Sequence, residues 1–592
     1  MPATVRTTAF LCLLTIGLTT CGQAPGHAPQ ALAGLWGVEL DLGPLVRGPL
    51  TLDGRGAQWR AQIAGFDVPV DRKDAAVSFT LPGDAGEFRG HLSADGKTIV
   101  GQWIQPKAAA LFSRYATPLE LAPTAPHVWR GQVVPNPARI SFYVSIQRAA
   151  DGSLSAFIRN PEFGWLQRGA FAVTVNGSAV TFTNTQRRGQ QFSGSYDAQG
   201  DRLTLQLIDG APPVALTRRT RDTAPGFFPR ALSAGYVYRP PIAEDDGWAT
   251  ASLADVGLDP APISALIGRI LGADPAANPL NVQSLLIARH GKLVLEEYFY
   301  GFDAERPHDM RSAGKTFAPV LVGLARDHGA QVSPETPVYS LFPEYKPFAH
   351  WDERKQRMRL QDLMSMTAGY DCDEDHSDDA PLNEDVMQEQ TAQPDWYKYA
   401  LDAPMAHDPG GDRAYYCSPE LNLVGGVAAK VSGSRLPELF YDDFARPLQF
   451  HTYHLNLQPT GEAYMGGGAY IRPRDQLKLG QLYLAGGMWN GRRVIRQDWV
   501  EQSLAVHARF EDRFGVDHLY GWGWHIHHLK VDGHVYTEYE AGGNGGQLVL
   551  ILPELDLVIG FSGGAYGDFQ NWGKWGPQVV PQYIIPAAHP GR

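Results

Sequence analysis

The chain changes texture once, and that change limits what it can fold into. From residue 31 to about 220, apolar and polar residues alternate in short runs such as 58–63 and 141–146, broken by Gly, Asp and Pro. Period-two runs separated by turn residues make half-buried strands rather than helices. Residues 221–248 then bring Pro225, Pro229, Pro240 and Pro241 together with Glu244-Asp245-Asp246 and few apolar positions, the composition of a linker. From 249 onward the patterns mix. Residues 263–270 have helical spacing, 284–298 read as a hairpin turning at His290-Gly291, and 548–561 read as a late hairpin turning near Pro553-Glu554. Early and late strands around a helical middle predict an α/β (α+β) domain, 249–592, whose antiparallel sheet joins both ends of the segment.

The first part repeats itself. Residues 87–96 (EFRGHLSADG) align with 191–200 (QFSGSYDAQG) at an offset of 104, and Val77-Ser78-Phe79 matches Val180-Thr181-Phe182 at nearly the same offset. This predicts two related all-β units, 31–125 and 126–220; two unrelated hairpins with shared turn chemistry would give the same local match.

Composition excludes some classes of function. A hydrophobic content of 44% with 11% aromatics fills real cores and excludes wholesale disorder. A net charge of −12 argues against a nucleic-acid-binding surface. Residues 1–22 read as a signal peptide, with Arg6 ahead of an apolar run at 9–18 that is too short to span a bilayer. Leu18-Thr19-Thr20-Cys21 is similar to a lipobox, although Thr20 departs from the usual small residue, so the expectation is export either as a lipoprotein anchored through Cys21 or as a secreted protein. Residues 23–30 look like a tether. With the leader removed, Cys372 and Cys417 remain, an even pair in an oxidising compartment, and they read as a disulfide or as two packed thiols.

The strongest chemical signal is Ser312-Ala313-Gly314-Lys315. Positions i and i+3 share a helix face, so the Lys315 amine can sit over the Ser312 hydroxyl, and a desolvated amine can activate a serine. Downstream come Tyr416-Cys417-Ser418 before a helix and Ala541-Gly542-Gly543-Asn544-Gly545-Gly546 before the closing hairpin. Together with 359–370, 466–475 and 520–524, these resemble the serine β-lactamase-related, penicillin-recognising hydrolases (class C-like or esterase-type), whose pattern is S-x-x-K, Y-x-N and a late K/H-T-G-like strand. The resemblance covers roughly 249–590 and does not extend to the β-rich first part. It implies Ser312 as nucleophile, Lys315 as its activating partner and Tyr416 as general base, its phenolate favoured by the lysine cation. It also implies an oxyanion hole from the backbone N–H of Ser312 and Asn544, with Gly543 allowing close approach.

The departures are informative. Ser418 stands where the family has Asn, and Ala541 or Glu540, depending on registration, stands where it has Lys or His. Without that cation, recognition of a substrate carboxylate weakens, which points to an esterase or amidase. Pro319 is expected to kink the helix after Lys315. Gly560-Phe561-Ser562-Gly563-Gly564 fits G-x-S-x-G but lacks the acid and base that should follow it. Gly314-Lys315-Thr316 resembles the end of a P-loop, with Asp309 at its first glycine position. In Ser418-Pro419-Glu420-Leu421-Asn422, serine occupies the position of the class A catalytic glutamate. His525, His527 and His528 read as aromatic-packed rather than metal-binding, and the acidic loop 371–375 as a solvated loop pinned by Cys372, with binding of Ca²⁺ or a cationic substrate group as the alternative. The expectation is therefore an exported serine hydrolase acting on a small ester, amide or peptide through a Ser312 acyl-enzyme, with no cofactor, no metal and no nucleic acid. A D,D-peptidase or β-lactamase, or a non-catalytic binding protein on a degenerate fold, are the alternatives.

Overall fold

The computed structural model describes residues 32–589 apart from 42–44, 108–112, 138, 165–169, 187–188, 208–211, 231–234, 277–279, 378, 390–392 and 513–514. The leader, Cys21 and the tether lie outside the described residues. The expected architecture is present: an all-β region over 34–218 precedes a mixed α/β region built on an antiparallel sheet.

The two β-rich halves are not cut sequentially. Gly34–Asp41 pairs with Arg139–Arg148 and with Val214–Arg218, closing an eight-stranded barrel whose other strands all come from 139–218. Reciprocally, Val128–Val133 lies between Gly48–Asp53 and Arg114–Ala125 in the first sheet. Each half thus lends a strand to its neighbour. A buried tryptophan anchors each loan. Trp36 packs edge-on to Tyr196 at 5.6 Å under the Arg218 guanidinium, and Trp129 stacks on Trp59 at 5.1 Å.

The described part of 221–248 has neither strand nor helix but is fastened along its length. Arg230 donates to Tyr298 O, Tyr236 to Glu297 and Tyr238 to Val294 O, and Asp246 is paired with Arg474.

The second region is built on a ten-stranded sheet in which Val282–Arg289, third in order, pairs with Leu557–Gly563, fourth, so both ends of the segment meet inside it. The early hairpin turns at His290 and Gly291, with φ of 52° and 70°, the left-handed pair that a tight two-residue turn needs. One sheet face packs Pro260–Gly272 and the C-terminal segment around Trp575 and Val579. The other packs the helical middle, including Phe317–Asp327, Ser418–Ser432 and Pro473–Leu484.

Pro319 does not kink a continuous helix. Residues Arg311–Thr316 wind as a 3₁₀ turn and the α-helix starts at Phe317, which puts Pro319 in its first turn, where N–H groups have no intrahelical acceptor. The β-rich first part and the nucleophile segment share one sheet. Arg114–Ala125 pairs with Tyr453–Leu457, which pairs with Ala469–Ile471, which pairs with His308–Asp309, three residues ahead of Ser312.

Candidate active site

Ser312 lies in the 3₁₀ turn that feeds Phe317–Asp327, and this winding sets Lys315 over it: Lys315 Nζ donates to Ser312 Oγ at 2.8 Å. Lys315 is only 2% exposed, and its amine lies 4.8 Å from the centre of the Tyr416 ring. The Tyr416 phenol also hydrogen-bonds Ser312. The structure therefore brings Ser312, Lys315 and Tyr416 together.

The electrostatics act on the two activating groups in opposite directions. Desolvation holds the Lys315 amine below the usual lysine range, opposed by the charges of Glu384, Glu374 and Asp375. Burial pushes the Tyr416 phenol well above its ordinary value, and the Glu374 carboxylate adds to this. A buried phenol facing a carboxylate resists ionisation, whereas a buried amine gives up its proton more readily. Both shifts favour the neutral forms, an unprotonated amine on Lys315 and an intact phenol on Tyr416.

The late strand His534–Gly543 runs hard against the nucleophile turn. A Cβ on Gly543 would meet Met310 O at 2.4 Å and Ala313 N at 2.9 Å, so only glycine allows this approach. Asn544 follows it, with its side-chain Oδ1 accepting from Gly567 N at 2.6 Å. Ala541 is buried at 1% exposure and contributes no charge. Glu540 lies on the other sheet face, with one carboxylate oxygen against Gly542 and the other toward Gly576.

Ser418 does not occupy the site as a free hydroxyl. It is fully buried, and its Oγ donates to Glu374 Oε2 at 2.6 Å while its N–H donates to Glu374 Oε1 at 3.0 Å. Glu374 N in turn donates to Tyr416 O at 2.8 Å. The 371–375 loop is therefore not simply solvated: Glu374 is drawn in beside Tyr416. Cys372 and Cys417 form a disulfide, with a Cα–Cα distance of 5.6 Å, and this staples the two segments together. Burial, followed by the Glu384 charge, pushes the Glu374 carboxyl up to about 8 despite the opposing Lys315 cation. Glu384 accepts from the Tyr464 hydroxyl at 2.8 Å. Reasoning from sequence missed Glu374 and Glu384. The usable signal was Cys417 beside Tyr416, because a bond to Cys372 carries the acidic loop to the site.

His525 and His527 lie on the strand His525–Val531, and His525 Nδ1 sits 2.7 Å from His518 Nε2. Burial holds His527 down at about 3. These are neutral, stacked rings. Among the described residues no group of three His, Cys, Asp or Glu side chains converges to hold a metal.

Comparison with known proteins places part of the chain in a family. Residues 281–562 match the family model described as Beta-lactamase, so this segment is β-lactamase-related. A 6-aminohexanoate-dimer hydrolase of Paenarthrobacter ureafaciens is 24% identical over 257 residues, which are 42% of this chain and 63% of that protein. The match thus spans less than two thirds of this curated relative. Solved structures similar to this chain include a family VIII carboxylesterase (18% identity, TM-score 0.39, 51% of this chain and 91% of that one). A D-stereospecific amidohydrolase from Streptomyces sp. is also similar (14% identity, TM-score 0.39, 50% of this chain and 93% of that one).

Proposed function

We propose that this chain is an exported serine hydrolase that cleaves an ester or amide through an acyl-enzyme on Ser312. The observation that carries this reading is the 2.8 Å contact from Lys315 Nζ to Ser312 Oγ in a buried setting, with Tyr416 against both. In the proposed reaction, neutral Lys315 takes the Ser312 hydroxyl proton as Oγ bonds to the substrate carbonyl carbon. Backbone N–H groups at Ser312 and Asn544 hold the carbonyl oxygen as it becomes an oxyanion. The carbon–heteroatom bond then breaks, and the leaving oxygen or nitrogen takes a proton from the Tyr416 hydroxyl, which Lys315 replenishes. Water attacks the acyl-enzyme by the same proton path in reverse and frees Ser312.

The relative's name, 6-aminohexanoate-dimer hydrolase, supports an amide or ester of a small acid as substrate. The leader-like residues 1–22 and the Cys372–Cys417 disulfide support export, since disulfides persist in oxidising compartments. Under the same proposal Cys21 is the site of a lipid anchor. Hydrolysis of a short-chain p-nitrophenyl ester, compared with a chromogenic cephalosporin, tests the reading. Ester turnover that is lost in Ser312→Ala supports it. Cephalosporin turnover without ester turnover would favour a β-lactamase or D,D-peptidase, and no Ser312-dependent turnover of either would overturn it.

A further inference from the structure

The late strand offers no cation to a substrate, yet a cation stands on the other side of the nucleophile. Arg311 immediately precedes Ser312 and has φ +49°, a left-handed conformation that strains a side-chain-bearing residue. Such a conformation persists only where surrounding contacts fix it, and here they are specific. Asp309 Oδ1 accepts from Arg311 N at 2.9 Å, and Asp309 Oδ2 lies 2.8 Å from Arg311 Nε. The guanidinium lies over the Tyr566 ring at 5.1 Å. Tyr566 precedes Gly567, whose N–H holds the Asn544 side chain, so Arg311 stands at the end of the strand that carries the expected oxyanion donor.

Nε stands at ion-pair distance from Asp309 without a hydrogen bond, the two terminal nitrogens have no hydrogen-bond partner among the described residues, and the side chain is 37% exposed. An arginine fixed at its root with its fork left open is the arrangement that receives a carboxylate through two parallel N–H···O bonds.

The β-rich first part braces this arginine. Asp309 pairs with Tyr470, and Tyr115 from the strand Arg114–Ala125 packs edge-on to Tyr470 at 5.4 Å. Gly164 lies so close to Tyr566 that a Cβ there would meet its Cβ at 2.7 Å. Glu162 pairs with Arg306 at 3.0 Å, in the segment leading to Asp309. Both residues that flank the Arg311 guanidinium, Tyr470 and Tyr566, are thus packed from outside the α/β region.

We propose that Arg311 is a specificity-determining residue that binds a carboxylate of the substrate, taking over from the cation absent at Ala541, and that the N-terminal β region holds it in place. This rests on the reading of Ser312 as nucleophile. It adds the substrate class: esters or amides that carry a carboxylate within reach of the scissile carbonyl.

The test compares Arg311→Met and Arg311→Lys with the wild type on three esters. These are neutral p-nitrophenyl butyrate, mono-p-nitrophenyl adipate with its carboxylate on the acyl side, and 4-butyryloxybenzoate with its carboxylate on the leaving side. In Arg311→Met, kcat/KM for at least one charged ester is expected to fall about tenfold or more relative to the neutral ester, mainly through KM, the loss of a charge-assisted hydrogen bond. Arg311→Lys should recover part of that ratio, and the substrate affected tells which side the carboxylate occupies. Tyr115→Ala should lower the same ratio in the same direction. An unchanged ratio in Arg311→Met on both charged esters overturns the proposal. Calorimetry of adipate and benzoate binding to Ser312→Ala, with and without Arg311→Met, separates this from the nucleophile assignment. Binding that needs Arg311 in a protein without turnover sustains the arginine's role, and binding indifferent to Arg311 ends it.

Discussion

Ser418 gives its hydroxyl to the Glu374 carboxylate at 2.6 Å, and Glu374 gives its own N–H to the carbonyl of Tyr416. The serine that replaces the family's asparagine is therefore one half of a pair, and the other half is a carboxyl facing the Lys315 amine. A carboxyl titrating at about 8 beside a catalytic base alters that base as it ionises. Once charged it stabilises protonated Lys315, so it slows the gain of neutral base above its own midpoint. The pH profile of kcat/KM should rise more shallowly above about pH 8 in the wild type. In Glu374→Gln it should keep rising until Lys315 is fully deprotonated, as a profile taken from pH 6 to 10 would show.

The Cys372–Cys417 bond closes a separation of 45 residues and joins the loop of Glu374 to the segment of Tyr416. Closing a loop of that length is worth about 4 kcal/mol through the unfolded state. Cys372→Ser/Cys417→Ser, or the reduced wild type, should melt several degrees lower and lose kcat more than it raises KM. Thermal melts and ester kinetics with and without dithiothreitol check both.

Gly543→Ala places a methyl 2.4 Å from Met310 O. Strand and turn must part, and the backbone donor at Asn544 moves with the strand. Loss of one oxyanion donor costs about 10²–10³ in rate. A fall of that size in kcat, with an unchanged far-ultraviolet circular dichroism spectrum, is the expected outcome.

The loaned strands make the β-rich halves interdependent. Trp36 is fully buried in a barrel composed otherwise of residues from 139–218, and replacing it with alanine removes a large core side chain. Trp36→Ala should cost about 3–5 kcal/mol, read in chemical denaturation. The tryptophans of the α/β region should report a separate, less affected transition.

Much of this was legible in the chain, for reasons that are themselves physical. Strand alternation and the two hairpins are local signals, and the pairing of Val282–Arg289 with Leu557–Gly563 followed from their positions at either end of a helical middle. Ser312 and Lys315 were found because their spacing encodes local geometry, and Tyr416 through the resemblance to the family's pattern. What escaped depends on contacts between distant residues. The exchange of Gly34–Asp41 and Val128–Val133 needs two similar sheets to compete for similar strands, which no single repeat announces. Glu374 reads as one acid in a solvated run until a disulfide carries it inward. The upward shift of the Tyr416 phenol was illegible for a related reason, because the burial that raises it and the acid that reinforces the shift both come from the tertiary fold.

The most direct test of the central claim is labelling with a fluorophosphonate probe followed by peptide mass spectrometry. The account predicts one stoichiometric adduct on Ser312, absent in Ser312→Ala and slowed in Lys315→Ala. An adduct on another serine, or labelling that survives in Ser312→Ala, would contradict it.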